Sequence, residues 1–244
     1  MANPWHLYEQ LIAGVPAGIT VTRALVNRWT VVGTDAATMG VAMTCHGGPR
    51  LPEPMIIGAE LREVAALVTS WDLRLASLGT AALNAWYAQP ARLEGMPGLV
   101  WDEQADCAAR LVPSLASRPS AVVGHFPFTE QLTERTIVLE RRPRGDDLPD
   151  PACEYELPGR EFVAITGSAL TNKTLPRLLE LCSGARVHLV GPSTPPAIGV
   201  YPACVREFDG TVVVDPDRCF QQAGMGARRL AGSPALRRFA LPTP

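Results

Sequence analysis

No Cys-x-x-Cys pair occurs among the six cysteines Cys45, Cys107, Cys153, Cys182, Cys204 and Cys219, which excludes a zinc-ribbon spacing and argues against a small disulfide-stapled domain. Most of these thiols are expected to be reduced, and several to sit in the core. Neither charge sign is in excess. The 22 Lys and Arg against 24 Asp and Glu leave a net charge of −2, which gives no electrostatic footprint for nucleic acid. No apolar run reaches the roughly 18 residues that a bilayer crossing needs. The opening Met1-Ala2-Asn3-Pro4-Trp5-His6 lacks the basic and apolar regions of a secretory signal. A cytosolic protein without a nucleic-acid or membrane partner is therefore expected. Also missing are a nucleophile elbow, carboxylates paired at a useful spacing, a metalloenzyme motif and a fixed-period repeat, so no complete catalytic set is legible.

What the chain has is ordinary globular material: 244 residues, 47% apolar and 19% charged, enough for one large core or two modest ones. Two units are expected, residues 1–116 and 117–244, with the boundary near the polar segment Ser114 to Pro119. The first opens with a short helix around Trp5 to Ala13. Alternating stretches at Ile19 to Leu25, Arg28 to Gly33 and Thr38 to Cys45 then predict a small antiparallel sheet. Ala59 to Ser70 and Asp72 to Tyr87 carry the 3.6-residue apolar period of two helices, making this unit α+β.

The second unit predicts an α/β layer. Ala121 to Gly124 reads as a buried strand ending in glycine, Pro127 to Glu134 as a short helix, and Thr136 to Leu139 as a second strand ending at Glu140. Such a pair opens a doubly wound sheet, and an acidic residue at the second strand's end is where these folds often hold a ribose hydroxyl. Strands at Phe162 to Thr166 and Val187 to Val190 continue the sheet after a charged, proline-rich excursion. A strand near Thr211 to Val214 completes it, and Gly224 to Pro244 reads as a loose basic tail.

The richest signal is a pair of strand ends. Val163 to Thr174 and Val187 to Pro196 each run apolar into glycine and then into hydroxyl-bearing residues, as a buried parallel strand does when it delivers donors to a ligand. Between them, Leu175, Leu178, Leu179 and Cys182 line one helix face, with Thr174 as the expected N-cap. The strand, helix and strand form a right-handed crossover, so both bends should open on the same sheet edge.

These residues also carry a family resemblance. Ile165-Thr166-Gly167-Ser168-Ala169-Leu170-Thr171-Asn172-Lys173-Thr174 followed by Val190-Gly191-Pro192-Ser193-Thr194 resembles the "putative heavy-metal chelation" domain family, Rossmann-like and of unassigned activity. Ser70-Trp71-Asp72, Ser77-Leu78-Gly79 and Ala82-Leu83-Asn84-Ala85 are similar to its usual companion, an enolase N-terminal-like domain, and Val122 to Phe126 and Val138 to Arg141 fit the family's order of elements. The resemblance implies an enolase-like cap over a Rossmann-like base, a cleft between them, and a link to metals or metal chelates. One departure is Tyr201-Pro202-Ala203-Cys204-Val205, where the family carries a glycine-rich turn.

Candidate ligand-binding residues are Asn84, Gly124, His125, Phe126, Glu140, Thr166, Gly167, Ser168, Asn172, Lys173, Thr174, Gly191, Pro192, Ser193 and Thr194. The loop and helix start at Ser168 to Thr174 suit an anionic group, with Lys173 as counter-charge; the plainer reading is a capped turn with Lys173 in water. His125, directly after the first sheet glycine, is the candidate general base, metal ligand or donor, against the alternative of a turn cap. Cys45 and His46 invite a metal reading, although neighbours on an extended chain point to opposite faces unless Gly47 and Gly48 bend it. Three functions stay open: binding or processing of a small metal-chelating compound or transition-metal chelate, an S-adenosylmethionine- or nucleotide-dependent enzyme, and a non-catalytic binding module. The partner is a small molecule in each case, and oligomeric state is left open, a homo-oligomer included.

Overall fold

In the computed structural model, which describes residues 3–102, 107–228, 230 and 232–244, the chain begins with helix α1 (His6–Ala13). An antiparallel sheet of β1 (Val21–Val26), β2 (Trp29–Thr34) and β3 (Met39–Met43) follows in that order. Helix α2 (Leu61–Ala66) runs through a short 3-10 turn, Leu67–Thr69, into α3 (Leu73–Tyr87). The helices and strands expected between Trp5 and Tyr87 are thus present element by element. Asp72 caps α3, its side chain accepting the Arg74 amide at 3.0 Å.

Helix α3 is buried almost all round, and small residues explain how. A Cβ on Gly40 of β3 would stand 2.0 Å from the carbonyl oxygen of Ala81, so only glycine lets helix and strand backbones approach this closely. Leu83 is fully buried and contributes about 2 kcal/mol of hydrophobic stabilisation.

After α4 (Pro90–Leu93) and the short strand β4 (Val100–Asp102), helix α5 (Cys107–Ala116) leads into the larger sheet. Its strands are β5 (Ser120–Val123), β6 (Thr136–Glu140), β7 (Leu148–Pro149), β8 (Phe162–Thr166), β9 (Arg186–Val190), β10 (Val205–Val213) and β11 (Leu236–Pro242), with β4 added at one edge. Helices α6 (Cys153–Glu156), α7 (Ser168–Thr171), α8 (Leu175–Leu181) and α9 (Pro216–Gly224) connect them. The spatial order is β4-β11-β10-β9-β8-β5-β6-β7, parallel from β10 to β7, with β11 antiparallel to β10 and β4 antiparallel to β11.

Alternation along these strands divides the core. Ala121, Val123, Val163, Ile165, Val187 and Leu189 face α1, α3 and α8, and share one apolar cluster with Leu7, Leu11, Leu83 and Leu178. Val122, Phe162, Ala164 and Val190 face the other way, onto Leu111 and Leu115 of α5. The chain moves outward from β5 to β7, then returns to the far side of β5 and moves outward again from β8 to β10. The order therefore reverses between β5 and β8, where connections leave to opposite faces and open a crevice beyond the strand ends.

Three expectations are corrected. The segment from Gly224 to Pro244 is no loose tail: β11 pairs along β10 from Glu207↔Pro242 to Val213↔Leu236, burying Phe239 and Leu241. The stretch before it packs on the small sheet, where the Trp29 indole donates to the Ala227 carbonyl at 3.0 Å. The Pro127 to Glu134 helix is only the 3-10 turn Thr129–Gln131, and Leu132 leaves it in extended torsions. The last parallel strand starts at Val205 rather than Thr211, charged Arg206, Glu207 and Asp209 having masked its apolar face.

Candidate functional site

Each central strand ends in the same way. The amide of Gly124 donates to the Leu139 carbonyl, that of Gly167 to Val190 and that of Gly191 to Asp209, all at 2.8 Å. After this last ladder bond, Gly124 and Gly191 turn at φ of 107° and 106°, a region that residues with a Cβ rarely adopt. The bends open on one edge, as the crossover argument requires. Beyond them lies a cavity of about 810 Å³, whose lining also includes Trp29, Met43, Cys45, His46 and Leu73 from the N-terminal half of the chain.

The structure gathers most of the sequence candidates on this cavity: Gly124, His125, Phe126, Glu140, Thr166, Gly167, Ser168, Asn172, Thr174, Gly191, Pro192 and Ser193 line it, with Cys45 and His46 opposite. Asn84, Lys173 and Thr194 stand behind the wall. Asn84 is 1% exposed and its amide donates to the carbonyls of Val41 and Pro192, both at 2.8 Å, tying α3 to the small sheet and to the bend after β9. Thr194 is buried. Lys173 turns back, donating to the carbonyls of Ser70 and Thr171, and burial holds its ammonium down to about 8.

His125 is held from three sides. Its backbone amide donates to Glu140 Oε2 at 2.9 Å, its Nδ1 lies 2.9 Å from Asp147 Oδ2, and its Nε2 lies 3.4 Å from Thr129 Oγ1. A carboxylate on Nδ1 fixes the ring's orientation and tautomer, the arrangement a histidine needs to exchange a proton or a ligand through the other nitrogen. Glu140 is occupied by backbone, Oε1 accepting the Arg142 amide at 3.1 Å, so it fastens two strand-end loops together. Phe126 and Phe128 stack beside it with centroids 5.1 Å apart.

Two local expectations change. Thr174 already has helical torsions and makes no capping bond; Asn172 Oδ1 instead accepts from the Thr174 amide at 3.1 Å and its hydroxyl at 2.7 Å. Ser193 accepts the Met43 amide at 2.9 Å, which spends its hydroxyl oxygen on joining β3 to the bend after β9. Cys45 lines the cavity as a thiol, since burial raises its pKa, and a metal there would first have to displace a proton.

Sequence reasoning missed the cavity's charge. Five arginines, Arg28, Arg141, Arg142, Arg228 and Arg238, line it against two carboxylates, Glu140 and Asp150, so the site favours an anionic occupant. These arginines come from four separate stretches of the chain, Arg238 from strand β11, and no spacing announces them.

The family DUF364, described as "Putative heavy-metal chelation", matches residues 108–238, and DUF4213, with the same description, matches residues 8–87. Among solved structures the chain is similar to a DUF364-family protein of unknown function from Desulfitobacterium hafniense DCB-2, at 30% identity and a TM-score of 0.82 over 98% of each chain. It shares its fold with another protein of that family and of unknown function, from Pyrococcus horikoshii, at 18% identity and a TM-score of 0.75, covering 98% of this chain and 99% of that one. No curated protein matches. No helix among the described residues is long and apolar enough to cross a membrane.

Proposed function

Because the chain belongs to the DUF364 family and ends its central parallel strands in glycine bends over one basic cavity, we propose that it binds a small anionic metal chelate there. The observation carrying this reading is the meeting of Gly124, Gly167 and Gly191 with Cys45 and His46 across about 810 Å³. In this account the N-terminal unit is an enolase N-terminal-like cap and the C-terminal unit a Rossmann-like base. Backbone donors at the bends and the arginines hold the chelator's carboxylates. His46 and His125 approach the metal, which arrives already complexed, and Asp147 keeps the His125 ring in place.

Thermal unfolding with nickel(II) citrate, with citrate alone and with S-adenosylmethionine tests the reading. The nickel complex raises the melting temperature of the wild-type protein more than citrate does, and His125→Ala together with His46→Ala removes the difference. Equal shifts for complex and free citrate contradict metal recognition. A shift with S-adenosylmethionine alone, lost in Glu140→Ala, replaces this reading by an adenosyl-dependent one.

A further inference from the structure

A second cavity, of about 410 Å³, lies away from the cleft on the sheet face covered by α5. His188 on β9 sits opposite Glu207 on the neighbouring parallel strand β10. Asp209 follows two residues later, so strand alternation puts all three side chains on this face. The His188 Nδ1 is 3.5 Å from Asp209 Oδ2 and 3.8 Å from Glu207 Oε1. Neither contact is a hydrogen bond. Yet His188 and Asp209 are 7% and 6% exposed, and His188 Nδ1 and Asp209 Oδ2 lack hydrogen-bond partners, while Asp209 Oδ1 is met by the Arg110 ion pair. Leaving such groups buried and unsatisfied is costly, and these two atoms face each other.

The separations match a coordination shell better than a hydrogen-bond network. Donors about 2.1 Å from a tetrahedral cation stand about 3.4 Å from one another, close to the spacings of the ring nitrogen from the two carboxylates. The imidazole is already aimed: its ring packs on Phe162 with centroids 4.6 Å apart, and Arg186 Nε lies 3.3 Å from its other nitrogen. Arg110 on α5 pairs with Glu207 and with Asp209 Oδ1 at 2.9 Å, whereas the ring nitrogen is 3.5 Å from Asp209 Oδ2. Its guanidinium is about one-third exposed, so it is free to withdraw into the cavity.

We propose that His188, Glu207 and Asp209 form a protein-ligated site for a divalent cation, with a further coordination position open to the second cavity. One nitrogen and two carboxylates suit zinc or manganese rather than a thiophilic ion. On binding, the imidazole proton passes by way of solvent from Nδ1 to Nε2, Arg186 gives up its contact with Nε2, Nδ1 takes the cation, and Arg110 moves off the carboxylates. The site shares no residue with the cleft and stands independently of the chelate reading.

Isothermal titration of the metal-free full chain with manganese(II) and zinc(II), without chelator, tests this. The wild-type protein binds about one equivalent, His188→Ala weakens binding on the order of 100-fold, and Cys45→Ser with His46→Ala leaves it intact. Arg110→Ala removes the competing charge and tightens binding about tenfold, a gain that misfolding cannot produce. Absence of binding in the wild-type protein overturns the proposal. So does binding that survives His188→Ala, disappears with the Cys45 and His46 changes, or fails to tighten in Arg110→Ala.

Discussion

Gly167 and Thr194 meet across the bends that follow β8 and β9: a Cβ on Gly167 would stand 2.4 Å from the Thr194 hydroxyl oxygen and 2.6 Å from the Ser193 carbonyl carbon. This contact, rather than the torsion of Gly167, requires glycine, because backbone cannot yield as a flexible side chain can. Gly167→Ala is expected to cost about 2–3 kcal/mol in urea unfolding and to weaken cleft ligands by pushing the second bend outward. Unchanged stability would mean that the bends are not packed together.

Asn84 joins three elements through one amide, and its removal strands the buried carbonyl of Val41 and the part-buried one of Pro192. Asn84→Ala should destabilise the fold by about 2–4 kcal/mol, read from the urea midpoint. A loss under about 0.5 kcal/mol would show that the amide does not hold these three elements together.

Lys173 makes stability depend on alkaline pH. Its folded pKa of about 8 lies below the ordinary 10.5, so between these values the unfolded chain holds a proton that the folded one has released. Its contribution therefore rises with pH through that window, and the cost of burying the charge is present in full below it. Thiols pushed up by burial, Cys153 to about 11 and Cys182 to about 12, act in the opposite direction. The informative quantity is the difference in urea midpoint between the wild-type protein and Lys173→Met, which should move in favour of the wild type from pH 7.5 to 10. A constant difference contradicts the assignment.

The elements legible in the sequence were those whose pattern is local. Ala121 to Gly124 and Phe162 to Thr166 read as strands because burial on both faces leaves a nearly unbroken apolar run, and α3 read as a helix from its apolar period. The bends were legible because glycine next to hydroxyls marks a strand end with unusual backbone needs. Partnership was not legible. Leu236 to Pro242 carries Arg237 and Arg238 within a short apolar pattern and looks like a tail until β10 is there to pair with it. His188, Glu207 and Asp209 converge only once the register of β9 against β10 is fixed, with its irregularity at Arg206. Lys173 looked like a loop cation because nothing in the sequence says that it turns toward Ser70.

The paired strand β11 gives a direct test of the corrected C-terminus. Deleting residues 236–244 removes the buried Phe239, Ala240 and Leu241 and bares the ladder edge of β10. The truncated chain is expected to aggregate on expression rather than lose a few degrees of melting temperature. A soluble, cooperatively unfolding product would restore the loose-tail reading.

Nickel anomalous scattering from crystals soaked in nickel(II) citrate tests the central claim most directly. The account predicts a peak inside the cavity bounded by Gly167, Gly191 and His46, accompanied by citrate density against the glycine bends. A cleft without nickel at saturating complex, or nickel bound there without its chelator, would contradict it.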